Sequence, residues 1–279
     1  MSQVRTRKVV KVVETSIDVQ TTNVTSMDAV VDSVITDIHD ETLKASIKKD
    51  NKNIQHSNEL SSPAVLKDSF RTEYKMNLKT IPVTIKGLDR HKAAAIKTMQ
   101  NSNMKVVDKS VVQKGLERIV NAKDFGSLKK VVDDTMSKVS IDHTKVLAQS
   151  IATVVEKASA NIGFRNVKIQ NEASKITVIA QNDSGEAILT EVRVDKDKVD
   201  LVSETIGMQD NSCNLKLNEF DREMERLGVK FKDAKAKWTG GNTWLPKAKE
   251  VEKSMAVKKK QNERIRLYQK LNINKQKNL

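Results

Sequence analysis

The stretch NVKIQNEASKITVIAQNDSGEAILTEVRVDKDKVDLVSETI, residues 166–206, determines the fold class. It contains four runs with a strand-like period of two, NVKIQ, KITVIAQ, AILTEVRVD and KVDLVSE. The segments between these runs, NEAS, NDSGE and DKDK, are rich in turn-forming residues. Such a period indicates β-strands, and short turn-rich connections join antiparallel neighbours. The sequence therefore predicts an antiparallel β-meander.

An amphipathic helix follows the meander. Its apolar stripe is Leu215, Leu217, Phe220, Met224 and Leu227. Gly228 is a typical helix stop directly after this stripe. Because a helix with one apolar face can cover one face of a sheet, we predict an α+β domain at residues 142–237.

The region before the meander has helical periodicity. We predict a helical region at 70–141, followed by a further helix that begins near Asp142 and runs into the meander. Asp124 and Asp142 lie in connections between apolar stripes, where aspartate is a common cap or turn residue. The segment KTIPVTIKG at 79–87 alternates around Pro82 and suggests a short edge strand. The fold class expected overall is α+β, with helical segments, a meander, a covering helix and a basic helical tail.

Residues 1–69 contain no aromatic residue and are rich in Ser, Thr, Asn and Asp. Segments of this composition bury little apolar surface, so we predict a flexible N-terminal region. Within it, residues 27–38 carry apolar side chains at helical spacing, with Ser26 as an N-cap. One amphipathic helix is therefore expected there.

Positive charge is concentrated at the C-terminus. The 279 residues carry a net charge of +14, yet residues 161–245 hold 13 Lys and Arg against 14 Asp and Glu. Residues 246–279 hold 11 against 3. We therefore predict a basic tail at 238–279, which favours an anionic partner such as nucleic acid or an acidic protein face. A solubilising tail without a partner is the alternative.

The composition also suggests a compartment. No stretch approaches the roughly 20 apolar residues that span a bilayer, so no membrane association is expected. The basic N-terminal segment is interrupted by Lys11 and lacks a cleavage site typical of a secretory signal. A single cysteine cannot form an internal disulfide. We therefore expect a cytoplasmic protein.

Cys213 is the only candidate for covalent chemistry. A thiol near a helix N-terminus feels the positive end of the helix dipole, which lowers its pKa and favours the nucleophilic thiolate. Cysteine is also among the most frequently buried residues. The preceding residues, DNS, are typical of a helix N-cap and need no reactive thiol to account for them. A buried structural role is the favoured interpretation, and a catalytic or redox role is the alternative.

Other catalytic patterns lack support in the sequence. The four histidines, at 39, 56, 91 and 143, are dispersed and form no HExxH motif, so no metal site is expected. The segment WTGGNTW lacks the spacing of a phosphate-binding loop, and no GxGxxG follows a strand. We therefore expect no cofactor and no enzymatic activity.

The tail provides the candidate nucleic-acid contacts. Its cations can neutralise phosphates and its tyrosine can stack on a base: Lys247, Lys249, Lys258, Lys259, Lys260, Arg264, Arg266 and Tyr268. No RRM, KH or zinc-finger signature accompanies them. RNA or DNA binding is thus one of two functional hypotheses.

Trp238 and Trp244 are the candidate protein contacts. They flank a Gly-Gly pair and precede Pro246, an arrangement that projects them from the sheet unless they fold back on it. Tryptophan is a frequent interface anchor, although packing on the protein's own sheet is the equally weighted alternative.

The segments VLAQSIATVVEKASANIGFRNVKIQNEASKITVIAQ and ETIGMQDNSCNLKLNEFDREMERLGVKF, within residues 145–231, carry a family resemblance. They resemble two small uncharacterised families, known from bacteria and algal chloroplasts, that are encoded beside an AAA+ ATPase. Gly207, Ser212, Cys213, Leu227 and Gly228 occupy the positions of the second family's short motifs. The resemblance implies a non-enzymatic accessory protein that works with an ATPase. That is the favoured functional hypothesis, with nucleic-acid binding through the tail as the alternative.

Overall fold

The computed structural model describes residues 3–13, 34, 41–47, 59–61, 63–101, 109–195, 198–208, 212–239, 243–257 and 264. These residues confirm the expected α+β class. The strands are β1 (Gln3–Val13), β2 (Glu59–Ser61), β3 (Asn166–Asn171), β4 (Lys175–Gln181), β5 (Ala187–Asp195), β6 (Lys198–Ile206) and β7 (Val229–Trp238). The helices are α1 (Glu41–Ile47), α2 (Pro63–Thr80), α3 (Gly87–Asn101), α4 (Lys109–Val120), α5 (Phe125–Asn161), α6 (Ser212–Arg226) and α7 (246–257).

The predicted meander is present as β3 to β6. Each strand pairs antiparallel with the next, as in Val178 opposite Thr190 and Thr190 opposite Ser203. The sheet continues from β6 to β1, and β7 pairs with the other edge of β1. The short β2 pairs with β1 beyond the end of β6, so β1 is paired along both of its edges.

The expectation of a flexible N-terminal region is wrong for residues 3–13, which form β1 inside the sheet. Its inward positions include Arg5 and Arg7, so the usual apolar alternation of a buried strand is absent. Both guanidinium groups pair with Asp221 of α6, which makes their burial tolerable. Of the amphipathic helix expected at 27–38, only Val34 lies among the described residues, where it is helical and buried.

The predicted helix break near Asp142 is also wrong, because α5 runs without interruption for 37 residues. Asp142 lies inside the helix and pairs with Lys145 one turn later, so it supports the helix instead of ending the previous one. The cap at Asp124 is confirmed, since its carboxylate accepts the backbone N–H of Ser127 at 2.8 Å. Burial of His143 and Thr144 anchors the middle of this helix.

No strand forms at 79–87, where the structure has the end of α2 and a turn. Ile81 and Ile85 are nevertheless buried, because the turn inserts both side chains into the helical core. The alternation that suggested a strand thus reflects two anchor residues of a connection between α2 and α3.

The described residues form three apolar clusters, and α5 belongs to two of them. Its first half packs with α1 to α4, and its second half packs with α6 on one face of the sheet. The opposite face is covered by Leu245 and by α7, through Ala248 and Val251. The expected domain boundary at 238 is therefore wrong, because the start of the basic tail is part of the α+β unit.

Candidate functional site

A row of lysines covers the exposed part of the sheet face that bears α7. We call it the lysine face; it consists of Lys8, Lys11, Lys230, Lys232, Lys235 and Lys237 on the neighbouring strands β1 and β7. Lys8 lies directly opposite Lys232, and Lys11 directly opposite Lys230. Like charges in directly opposed positions destabilise a sheet. The fold therefore carries a local electrostatic cost at this face.

The strand register assigns these lysines to one face. Val4 packs in the cluster with α7 and lies opposite Lys237. Val9 and Val12 pack on the other face, against α5 and α6. Because successive side chains of a strand point to opposite faces, Lys8 and Lys11 lie on the α7 side. Their cross-strand partners in β7 lie on the same side.

A β-bulge in β7 brings its four lysines together. Between the pairs Thr6–Lys235 and Lys8–Lys232, β1 advances two residues while β7 advances three. In a regular strand Lys232 and Lys235 would point to opposite faces, and the extra residue removes that difference. Asp233, at φ 55°, takes up the left-handed conformation at this bulge, a conformation that Asp adopts more readily than most residues.

A second bulge does the same for β1. Between the pairs Val9–Phe231 and Lys11–Lys230, β1 advances two residues and β7 advances one. Lys8 and Lys11, three residues apart, would otherwise lie on opposite faces of the sheet. Bulges occur often beside functional sites, where they redirect a side chain. Here both of them bring lysines to the same surface.

Asp233 interacts electrostatically with three lysines of the lysine face, Lys8, Lys232 and Lys235. Its carboxylate accepts a hydrogen bond from Lys8 at 3.1 Å, and both side chains are about half exposed. This hydrogen bond, with the charge of Lys8 and the fields of Lys232 and Lys235, holds the pKa of Asp233 below its ordinary value. The acidic side chain thus remains charged while it lies among several cations.

Trp244 lies at one end of the lysine face. The ammonium of Lys237 stands 4.5 Å from the centre of its indole ring, and 51% of the Trp244 residue is exposed. The backbone N–H groups of Trp244 and Leu245 both donate to the buried Glu204 at 2.7 Å. Glu204 thereby fixes the start of α7 to β6 and holds Trp244 beside the lysines.

Trp238 is 47% exposed at the end of β7, and strand alternation directs it to the face opposite Lys237. The structure therefore separates the two tryptophans that the sequence grouped as one contact element. Neither is buried in a core, although Leu245, directly after Trp244, packs against the sheet.

The tail residues predicted to bind nucleic acid are only partly described. Lys247 is half-buried and donates to Gln170 at 2.6 Å and to Glu172, so its charge is used within the fold. The hydrogen bond from Lys247 also lowers the pKa of Glu172. Lys249 and Arg264 are exposed. The remaining predicted residues lie outside the described residues: Lys258, Lys259, Lys260, Arg266 and Tyr268.

Cys213 is fully buried in the core between α6 and the sheet. The burial that the sequence favoured for this residue is therefore present, while its role stays a prediction. Among the described residues, no group of three His, Cys, Asp or Glu side chains could hold a metal ion. Within the same ranges, no helix has both the length and the apolar character required to cross a membrane.

The lysine face was not among the sites predicted from the sequence. Its signal was present in VKFKDAKAKW, where lysine recurs at every second position on both sides of Asp233. The near-neutral total for residues 161–245 concealed it, because a count along the chain does not distinguish the two faces of a sheet. The lysine face also depends on the position of β1 inside the sheet, since β1 supplies Lys8 and Lys11.

Comparison with known proteins finds no matching family model, no matching curated protein and no matching solved structure. The resemblance of residues 145–231 to the families encoded beside an AAA+ ATPase therefore stays a prediction. In the structure, Gly207 follows β6, while Ser212 and Cys213 begin α6 and Gly228 follows it. These positions have structural roles at the ends of elements.

Proposed function

We propose that this protein binds single-stranded nucleic acid on the lysine face. The observation that carries the proposal is the pair of bulges that brings six lysines of two strands to one surface. Amino groups on such a surface neutralise backbone phosphates and release their counterions, independently of sequence. The cost of opposing like charges would then be offset when the phosphates bind.

Protection of the sheet edge does not explain this arrangement fully. Lysines on an exposed edge strand prevent pairing with other chains, and this accounts for the residues of β7. Lys8 and Lys11, however, belong to β1, which is paired along both edges. A strand in the interior of a sheet needs no such protection, so these two lysines favour a ligand.

The shape of the site favours a single strand. Residues two positions apart in a β-strand are separated by about 6.6 Å, which resembles the spacing of successive phosphates in an extended nucleic acid. Trp244 offers a half-exposed ring at the end of this row, where a base can stack. A basic surface with a stacking residue is a common arrangement for sequence-tolerant single-strand binding.

The tail is a second candidate site for nucleic-acid binding. The predicted contacts at 258–268 follow α7, which packs on the face that bears the lysines. Binding by the tail would add to binding by the lysine face, so the tail hypothesis and the present one are compatible. The accessory role beside an ATPase is a separate hypothesis that rests on the resemblance.

The test is the salt dependence of oligonucleotide binding. The full chain is titrated into fluorescein-labelled dT20 at several salt concentrations, and affinity is measured by fluorescence anisotropy. The test variant changes Lys232, Lys235 and Lys237 to Gln, and we expect the slope of log K against log salt to lose about 2 units, at roughly 0.7 per contact. Affinity at 0.1 M salt should fall about a hundredfold.

A matched control loses the same net charge elsewhere, with Lys114, Lys130 and Lys157 changed to Gln on exposed helix positions. We expect its slope to stay close to that of the unmodified chain. Deletion of 258–279, which retains α7, measures the contribution of the tail. An equal loss of affinity in the test and control variants would refute the proposal, because affinity would then follow net charge alone.

A further inference from the structure

A groove of about 700 Å³ lies between α2 and the first half of α5, in the helical part of the chain and separate from the sheet. Three aromatic side chains line it: Phe70 and Tyr74 from α2, and Phe125 from α5. The whole chain has only nine Phe, Trp and Tyr residues. A third of its aromatic residues thus contribute to one groove.

The aromatic wall of the groove is held in place by side-chain contacts. The Tyr74 hydroxyl is hydrogen-bonded to Nδ1 of His91 at 2.7 Å. The His91 ring in turn meets Phe125 in a T-shaped contact, with 5.1 Å between ring centres. Phe125 remains 54% exposed despite this contact. A large apolar side chain is therefore positioned at the mouth of the groove, but only partly covered.

One rim of the groove is cationic. Lys67, Arg71 and Lys75 follow one another at intervals of four residues along α2. They therefore form a row about 12 Å long on one side of the helix. The α5 side contributes Lys129 and Asp133. With four cations and one anion, the rim is complementary to negative charge.

We propose that this groove binds an acidic amphipathic helix of a protein partner. Both long walls are helices whose backbone groups are already hydrogen-bonded, so an extended peptide would find no strand edge to pair with. A helix satisfies its own backbone and can place an apolar stripe against Phe70, Val132 and Phe125. Its flanking carboxylates would face the row of cations on α2, which selects an acidic partner.

The probe is a synthetic, fluorescein-labelled peptide of about four helical turns, with a leucine stripe at helical spacing and glutamate elsewhere. One control peptide has the same composition in an order that removes the stripe. A second control replaces glutamate by lysine. We expect the full chain to bind the acidic amphipathic peptide at least about tenfold more tightly than either control.

Variants locate the binding site. Phe125→Ala and Arg71→Glu should each weaken binding of the acidic peptide by about tenfold. Both residues are largely exposed, with the Arg71 side chain 77% accessible, so the fold should tolerate the changes; Lys75→Glu is a second charge reversal should one variant unfold. Leu215→Ala and Lys114→Glu remove an exposed apolar group and an exposed cation elsewhere, and should leave binding unchanged.

Three outcomes would overturn the inference. The acidic peptide would bind no more tightly than its scrambled control, or the groove variants would bind it as the unmodified chain does. Alternatively, the groove variants would weaken binding of dT20, which would assign the groove to nucleic acid. The triple glutamine variant of the lysine face should still bind the peptide normally, so failure of the proposed function and failure of this inference are distinguishable.

Discussion

Loss of the single carboxylate of Asp221 should destabilise the sheet strongly. Asp221 of α6 accepts a hydrogen bond from Arg5 at 2.6 Å and pairs with Arg7 through its other oxygen. The side chains of Arg5 and Arg7 are only 10% and 1% exposed. Burial lowers the pKa of Arg7, while the charge of Asp221 opposes that effect. Asp221→Asn keeps the shape and leaves two buried guanidinium groups without their counter-charge.

The expected loss follows from this burial. Removal of one partner from a buried ion pair costs about 3–5 kcal/mol, because the other charge stays desolvated. The Asp221 side chain is 19% exposed, so water can compensate in part and the lower end, about 3 kcal/mol, applies. For a chain of this size, that corresponds to a fall in Tm of roughly 6–12 °C.

Urea unfolding at neutral pH measures the effect. Both tryptophans, Trp238 and Trp244, belong to the α+β unit, so their fluorescence reports on the sheet while circular dichroism reports on all helices. The matched variant is Arg7→Met, which leaves Arg5 to neutralise Asp221 and should change the free energy of unfolding by less than about 1 kcal/mol. A loss below about 1 kcal/mol for Asp221→Asn, or a loss no greater than that of Arg7→Met, would refute this reasoning.

Three further predictions concern the sheet and the segment that leads into α7. Glu204→Leu should cost about 2–4 kcal/mol in urea unfolding, because two backbone N–H groups at the start of α7 lose their acceptor; an unchanged midpoint would show that Glu204 does not anchor α7. Burial raises the pKa of Glu191, but hydrogen bonds from Lys175 and Arg193 outweigh it and leave that pKa below its ordinary 4.5. A carboxyl group whose pKa is lowered by folding stabilises the protein at pH values above its pKa in the unfolded chain, and this stabilisation is lost as the pH falls through its pKa in the folded protein. Glu191→Gln should therefore make the free energy of unfolding depend less steeply on pH below about pH 4.5. An unchanged pH dependence in that range would contradict this prediction. Trp244→Ala should change the free energy of unfolding by less than about 1 kcal/mol and weaken dT20 binding about tenfold, whereas a large stability loss would assign Trp244 to the core.

The meander and the helix that follows it were predictable because their signals are local. Residues 166–206 alternate with a period of two, and their turns carry Asn, Asp and Gly. The stripe of α6, apart from Leu215, which is exposed, and the cap at Asp124 likewise depend on neighbours within one or two helical turns. Burial of Cys213 followed from the general preference of cysteine for interiors. Each of these inferences uses residues that are close in the chain.

The interior position of β1 was not predictable in the same way. Its inward residues Arg5 and Arg7 signal exposure until Asp221, more than 200 positions later, is placed beside them. The continuity of α5 through Asp142 also depends on packing, because its two halves are stabilised by different cores. Long-range partners therefore overrode the local preferences of both segments.

The lysine face depends on tertiary structure most of all. Lys8 and Lys11 lie in one segment of the chain and Lys230, Lys235 and Lys237 in another, and only the pairing of β1 with β7 makes them neighbours. Local alternation would place Lys8 and Lys11 on opposite faces, since they are three residues apart. The bulges that correct this arise from the register between the two strands. A sequence pattern contains the lysines and their spacing, but the face that they share follows from how distant strands align.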